Sequence, residues 1–181
     1  MGEEYGEPNP FLYFTHHEDP ALMEAVRAGR QEAFSFGDAD DAEPDPQDVV
    51  TFERSRVQPE LHREGEHQAL HAFYRELLAL RRSIPVLTDP RASREVMERT
   101  EERVFLIHAR SDDAETITIL GFADTETRVP LRIPPGDWVK RLDAGDPRFL
   151  GAGAVNPDRL QSDGMVTLTL PPHAVLLFER G

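Results

Sequence analysis

Arg103-Val104-Phe105-Leu106-Ile107-His108-Ala109 and Thr116-Ile117-Thr118-Ile119-Leu120-Gly121-Phe122 flank the polar break Ser111-Asp112-Asp113-Ala114-Glu115. Two short runs rich in β-branched and aromatic residues around a polar turn predict an antiparallel hairpin. Beyond it the same texture repeats, with strands predicted at 127–133, 137–143, 165–170 and 174–179. Pro134-Pro135-Gly136 and Pro171-Pro172 supply stops. Val166-Thr167-Leu168-Thr169-Leu170 alternates as a strand does with one buried and one wet face. The Gly- and Pro-containing segment 145–163 reads as an irregular excursion. Short strands with turns and no helices between them argue an antiparallel all-β sandwich over 93–181.

Toward the N-terminus the period changes from two to 3.6. Residues 66–83 (EHQALHAFYRELLALRRS) place Leu70, Phe73, Leu77 and Leu78 on one stripe, as in a helix packed on one side. Ile84-Pro85 ends it, because the residue before proline is pushed out of the helical region. A second helix is predicted at about 20–35, where Asp19 caps and Pro20 takes the first helical position. Between them, 37–48 (GDADDAEPDPQD) is an acidic, proline-containing loop. It lacks the glycine and glutamate that a calcium-binding EF-hand needs at its sixth and twelfth positions. His67 and His71 lie one helical turn apart, but H-Q-A-L-H lacks the glutamate of the H-E-x-x-H zinc motif and no third ligand is apparent. No metal is expected. The division falls between a helix- and loop-rich part, 1–92, and the all-β part, 93–181.

The chain has 181 residues, room for one substantial domain or two small ones. Its net charge of −14 disfavours nucleic acid and anionic membranes as partners. No apolar run approaches the ~20 residues that span a bilayer, and no basic-then-apolar leader opens the chain, so a cytoplasmic setting is expected. Cysteine is absent, which removes disulfide and thiolate chemistry.

The order of features carries a resemblance. Met1-Gly2-Glu3-Glu4-Tyr5-Gly6 holds a G-x-E turn, followed by Pro10-Phe11, Tyr13-Phe14-Thr15, His17 and Asp19-Pro20. Glu24-Ala25-Val26-Arg27-Ala28-Gly29-Arg30, Asp45-Pro46-Gln47-Asp48, Thr51-Phe52, Tyr74-Arg75 and Leu80-Arg81-Arg82 follow in the same order. Leu170-Pro171-Pro172-His173-Ala174-Val175-Leu176-Leu177-Phe178 is similar to a closing hairpin. Together they resemble the C-terminal end of an alpha-amylase family glycoside hydrolase, in particular its trehalose-releasing branch. The resemblance implies an α+β fragment: the last strand-end, loop and helices of a (β/α)₈ barrel, then the antiparallel sandwich.

That family cleaves α-glucosidic bonds with retention, using two carboxylates that flank the scissile bond. By resemblance these project from barrel strands upstream of the G-x-E turn, so they are expected before Met1 and none is assigned here. Glu3 and Glu4 cannot substitute, since adjacent residues do not flank a bond at the ~5–5.5 Å of a retaining pair. The resemblance gives Glu4 an interior hydrogen-bonding role and lets Tyr5, Phe14 and His17 line a sugar subsite. The plainer reading of each is packing against the barrel rim. Trp138 is expected in the core rather than as a sugar platform.

The substrate implied for the parent enzyme is maltooligosyl trehalose or another α-glucan, and no cofactor is implied. The chain alone is expected to be inactive. Its helical stripe is expected to self-associate or to meet the missing barrel portion. The alternatives are a non-catalytic glucan-binding or structural sandwich module, or the tail of a branching or debranching enzyme.

Overall fold

The computed structural model describes residues 1–34 and 44–181. It divides into two compact units, Met1–His67 and Gln68–Gly181. The acidic stretch 37–43 lies outside the described residues, as does the last residue of the helix expected over about 20–35.

The first unit opens on a tight turn in which Tyr5 N and Glu7 N both donate to Gly2 O, at 3.2 and 3.0 Å. Gly2 sits at φ +81°, and a Cβ there would lie 2.6 Å from the Glu7 Cβ, so only glycine closes this turn. Helix α1, Pro20–Phe34, starts where expected: Asp19 Oδ1 accepts from Ala21 N at 2.9 Å. A short helix, α2 (Val49–Arg54), was not foreseen, and Asp48 caps it by accepting from Val50 N. Six residues give too few turns for a periodic signal, so only its cap was visible in advance.

This unit is held mainly by polar contacts. Thr51 and Ser55 are buried, with Thr51 Oγ1 donating to Asp45 O at 2.6 Å and Ser55 Oγ to Thr51 O at 2.9 Å. Arg27 clamps Asp45, with Nε 3.0 Å from each carboxylate oxygen. Helix α3, Gly65–Ser83, begins in this unit and continues into the next.

The second unit contains all the strands: β1 Ser93–Arg99, β2 Val104–Arg110, β3 Glu115–Gly121, β4 Thr127–Leu131, β5 Gly136–Asp143, β6 Arg159–Ser162, β7 Val166–Leu170 and β8 Val175–Arg180. Every pairing is antiparallel, in a six-stranded sheet β1-β2-β3-β8-β5-β6 and a two-stranded ribbon β4-β7. The opening hairpin is β2–β3, in register from Val104 opposite Gly121 to Arg110 opposite Glu115. Strands β1 and β6 were not expected. β1 is SREVMER, an edge strand too charged to show alternation, and charge is what keeps an exposed edge from pairing with other chains. β6 has only four residues, inside the segment read as irregular.

One face of the six-stranded sheet buries Leu106, Ile117, Ile119, Trp138, Leu176 and Phe178 with Val129, Leu131, Leu168 and Leu170 of the ribbon. Each such side chain is worth roughly 1.5–3 kcal/mol of transfer free energy. The opposite face carries a second cluster, in which Ala109, Leu142 and Leu177 meet Leu80 and Ile84 at the end of α3 and Val86 beyond it. Trp138 and Leu142 of β5 serve opposite faces although four residues apart. A register shift between Lys140 and Leu142 reverses the alternation, as a bulge does.

The stripe of α3 differs from expectation. Phe73 and Leu80 pack in the second cluster, whereas Leu77 and Leu78 are exposed. The strand-rich part begins at Ser93, close to the expected division. Compactness divides the chain earlier, because Leu80, Ile84 and Val86 share a core with the sheet.

Candidate functional site

In the first unit the carboxylate at the centre of the opening turn is Glu7. Its Oε2 accepts from Gln58 N at 2.6 Å and Tyr5 Oη at 3.0 Å, and its Oε1 from Asn9 N at 2.9 Å. The Gln58 amide foremost, with the Asn9 amide and the Tyr5 hydroxyl, holds the Glu7 carboxyl below its ordinary range against the opposing effect of burial. Tyr5 is 6% exposed, and burial followed by the bond to Glu7 raises its pKa. His67 Nδ1 closes the arrangement, 2.7 Å from Tyr5 O. Glu4 is on the surface, with no hydrogen-bond partner among the described residues.

The aromatic loop that follows forms a pocket with α2. Phe14 and Phe52 meet edge to face at 5.2 Å, each about two-fifths exposed. With Thr15, His16, Gln47 and Val49 they line a hollow of about 410 Å³. The floor is pinned by backbone and side-chain bonds: Thr15 N donates to Pro46 O at 2.9 Å and His17 N to Gln47 Oε1 at 3.2 Å. Gln47 Nε2 is buried and has no partner among the described residues. A buried amide donor without an acceptor carries a free-energy cost.

Of the four residues expected to meet sugar, then, Phe14 lines this pocket and His17 holds its Gln47 in place. Tyr5 is interior to the turn and Glu4 is outside it. Sequence reasoning missed Glu7, Gln47 and Phe52. The Asp45-Pro46-Gln47-Asp48 and Thr51-Phe52 pairs stood in the right order, but nothing local brings them against residues 14–16.

The second unit holds two polar clusters. Glu115 accepts from Arg180 Nη1 at 2.5 Å on Oε2 and contacts His108 Nε2 at 2.6 Å through Oε1. Burial alone would raise the Glu115 carboxyl, but the bonds to Arg180 and His108 outweigh it and its pKa is lowered. Lys140, the only lysine, donates to Asn156 O at 2.6 Å and lies 3.2 Å from both Asp143 Oδ2 and Asp158 Oδ1. The Asp143 contact is ionic only, since Oδ2 has no hydrogen-bond partner of suitable direction. Trp138 is fully buried, with Nε1 donating to Pro134 O at 3.1 Å, so its ring is core and not a platform.

No protein-family model matches the chain. Over its full length it superposes on a putative alpha amylase from Salmonella typhimurium with a TM-score of 0.73 and 29% identity, covering 27% of that chain. An alpha-amylase from H. orenii matches 74% of this chain and 25% of its own at a TM-score of 0.53 and 14% identity, a likeness of fold alone. The chain thus resembles alpha-amylase family glycoside hydrolases in structure.

Sequence relatives narrow it further. The malto-oligosyltrehalose trehalohydrolase of Mycobacterium tuberculosis is 40% identical over 111 residues, 61% of this chain and 19% of that protein. That of Brevibacterium helvolum is 34% identical over 158 residues, 87% of this chain and 26% of that protein. The chain is thus similar in sequence to malto-oligosyltrehalose trehalohydrolases, and it spans about a fifth to a quarter of the length of these curated relatives.

Proposed function

We propose that the chain is the C-terminal part of a trehalose-releasing glycoside hydrolase, one that cuts the α-1,4-glucosidic bond next to the terminal trehalose unit of malto-oligosyltrehalose in the cytoplasm. The observation that carries this reading is the 34% identity to a trehalohydrolase over 87% of the chain. In it, residues 1–92 are the end of a (β/α)₈ barrel and residues 93–181 the terminal β-sandwich.

The chain by itself does not hydrolyse glucan. Retaining hydrolysis needs two carboxylates facing one bond from opposite sides. Among the carboxylates with defined partners, Glu7 is taken up by backbone amides, Asp45 by Arg27, Glu115 by Arg180 and Asp143 lies beside Lys140. What the chain offers a glucan is the Phe14–Phe52 pocket. Its aromatic faces suit pyranose C–H groups.

Incubation of the pure chain with malto-oligosyltrehalose is expected to release no trehalose, and turnover above the blank would sink the inactive reading. Affinity electrophoresis in soluble starch tests the pocket. Retardation that Phe14→Ala abolishes supports glucan contact there, and equal mobility with and without starch removes it.

A further inference from the structure

The second unit carries a cationic pocket that glucan hydrolysis does not use. On α3, Arg75, Leu78, Ala79 and Arg82 follow the i, i+3, i+4, i+7 spacing of a single helix face. Arg75 and Arg82 are seven residues apart, so they stand ~10 Å apart along the axis, with apolar surface between them. The facing wall is Arg148 and Phe149, from the turn Pro147–Phe149 that follows β5. The hollow encloses about 370 Å³.

That facing wall is preorganised. Asp146 accepts from Arg148 N at 2.8 Å through Oδ1 and from Arg148 Nε at 2.9 Å through Oδ2. The guanidinium lies 5.0 Å over the Phe149 ring, and Phe149 itself packs edge to face on Phe73 of α3 at 5.1 Å. Fixing Nε in this way leaves the terminal nitrogens of Arg148 free to donate. The turn is closed by Gly151 N donating to Asp146 O at 3.2 Å. A Cβ on Gly151 would fall 2.2 Å from Gly145, so the approach of the two glycines sets the loop that carries Arg148.

Two of the three charges carry no ion pair among the described residues, and the third, Arg148, is engaged through Nε by Asp146. Arg27, Arg56, Arg99, Arg103 and Arg180 each have a carboxylate partner within 4 Å. Arg75 and Arg82 have none among the described residues. The pocket lining holds three guanidiniums and one carboxylate, Glu76, and with the Asp146 that engages Arg148 the local balance is +1 (3 − 2) in a chain whose net charge is −14. Three guanidiniums around one hollow match an oxyanion with several terminal oxygens, since each planar fork makes charge-assisted, often paired hydrogen bonds. Leu78, Ala79 and Phe149 leave room for a small organic group beside the anion.

We propose that this pocket binds a phosphate monoester of a small sugar, with the phosphate held by Arg75, Arg82 and Arg148 and the sugar against Leu78 and Phe149. The phosphate supplies close to two negative charges and three acceptor oxygens at neutral pH. The net charge of −14 opposes the approach of anions in general, so binding rests on these guanidiniums and weakens with salt.

Calorimetric titration of the full chain at low salt tests the site with glucose 6-phosphate, inorganic phosphate and neutral glucose. The expected result is saturable binding of glucose 6-phosphate, weaker binding of phosphate and none of glucose. The double variant R75A/R82A, and separately Arg148→Ala, should each weaken glucose 6-phosphate by at least about tenfold while leaving the melting profile unchanged. Arg75 and Arg82 are exposed, so their loss leaves folding intact. Equal affinity for inorganic phosphate and the sugar ester would overturn the sugar component. Affinity unchanged in both variants, or none tighter than about 10 mM in the parent chain, would overturn the site.

Discussion

The two units of this chain are stabilised in opposite ways. In Gln68–Gly181 the interior is apolar and Trp138, Phe178, Ile117, Ile119 and Leu176 lose all contact with water. In Met1–His67 the buried residues among those described are chiefly Tyr5, Thr51 and Ser55, while Phe11, Tyr13, Phe14, Val49, Val50 and Phe52 are exposed. Polar contacts contribute only about 0.5–1.5 kcal/mol net each, against roughly 1–2 kcal/mol per residue to fix the backbone. A region built on hydrogen bonds with its apolar side chains outward thus has a small folding margin of its own. Large exposed apolar patches on a monomer mark surfaces that meet something else. The first unit thus leaves its large apolar side chains outward, while the second encloses them.

Separation of the units is the strongest way to break this contrast. Residues 68–181 expressed alone should melt cooperatively by circular dichroism, while residues 1–67 alone should show no cooperative transition. Two equally cooperative fragments would remove the contrast.

Within the second unit, Phe178→Ala empties the middle of the main cluster and should cost about 3–5 kcal/mol, read as a shift in the urea midpoint of Trp138 fluorescence. Arg180→Gln should cost less, about 1–3 kcal/mol, by leaving the buried Glu115 carboxylate short of its cationic partner. Because the Glu115 pKa is lowered in the fold, its contribution is present above its ordinary value of 4.5 and disappears as pH falls through the lower folded value. The parent chain should therefore lose stability on acidification below that point, and Glu115→Gln should flatten the dependence.

The smallest effect concerns the opening turn. The Glu7 carboxyl is also lowered, so the turn is expected to tighten above about pH 4.5 and loosen as Glu7 protonates. Glu7→Gln should speed proteolysis of the N-terminal loop without moving the urea midpoint of the second unit. A shift in that midpoint would show that the two units are not energetically independent.

Much of the second unit was legible in advance because its strands are short runs whose alternation mirrors burial: Val104 and Leu106 go inward, as do Leu168 and Leu170. β1 escaped because nearly all of its residues are exposed and four of the seven are charged, which hides any alternation. The reversed alternation in β5 was equally hidden, since an irregularity between Lys140 and Leu142 leaves no trace in composition. In the first unit, the order of motifs pointed to Phe14 and His17. Those motifs did not reveal that Gln47 and Phe52, more than thirty residues away, complete the same hollow.

Local chemistry in the sequence determined the caps, the glycine-dependent turns, the hairpin and the family resemblance, because each depends on residues within a few positions of one another. Tertiary structure alone decided that Glu7 rather than Glu4 is the bound carboxylate, that α3 turns Leu77 and Leu78 outward, and that Arg148 comes to face Arg75 and Arg82. These outcomes rest on which distant backbone amides, side chains and helix faces meet. Pairing across long loops is set by global packing, which no local pattern encodes.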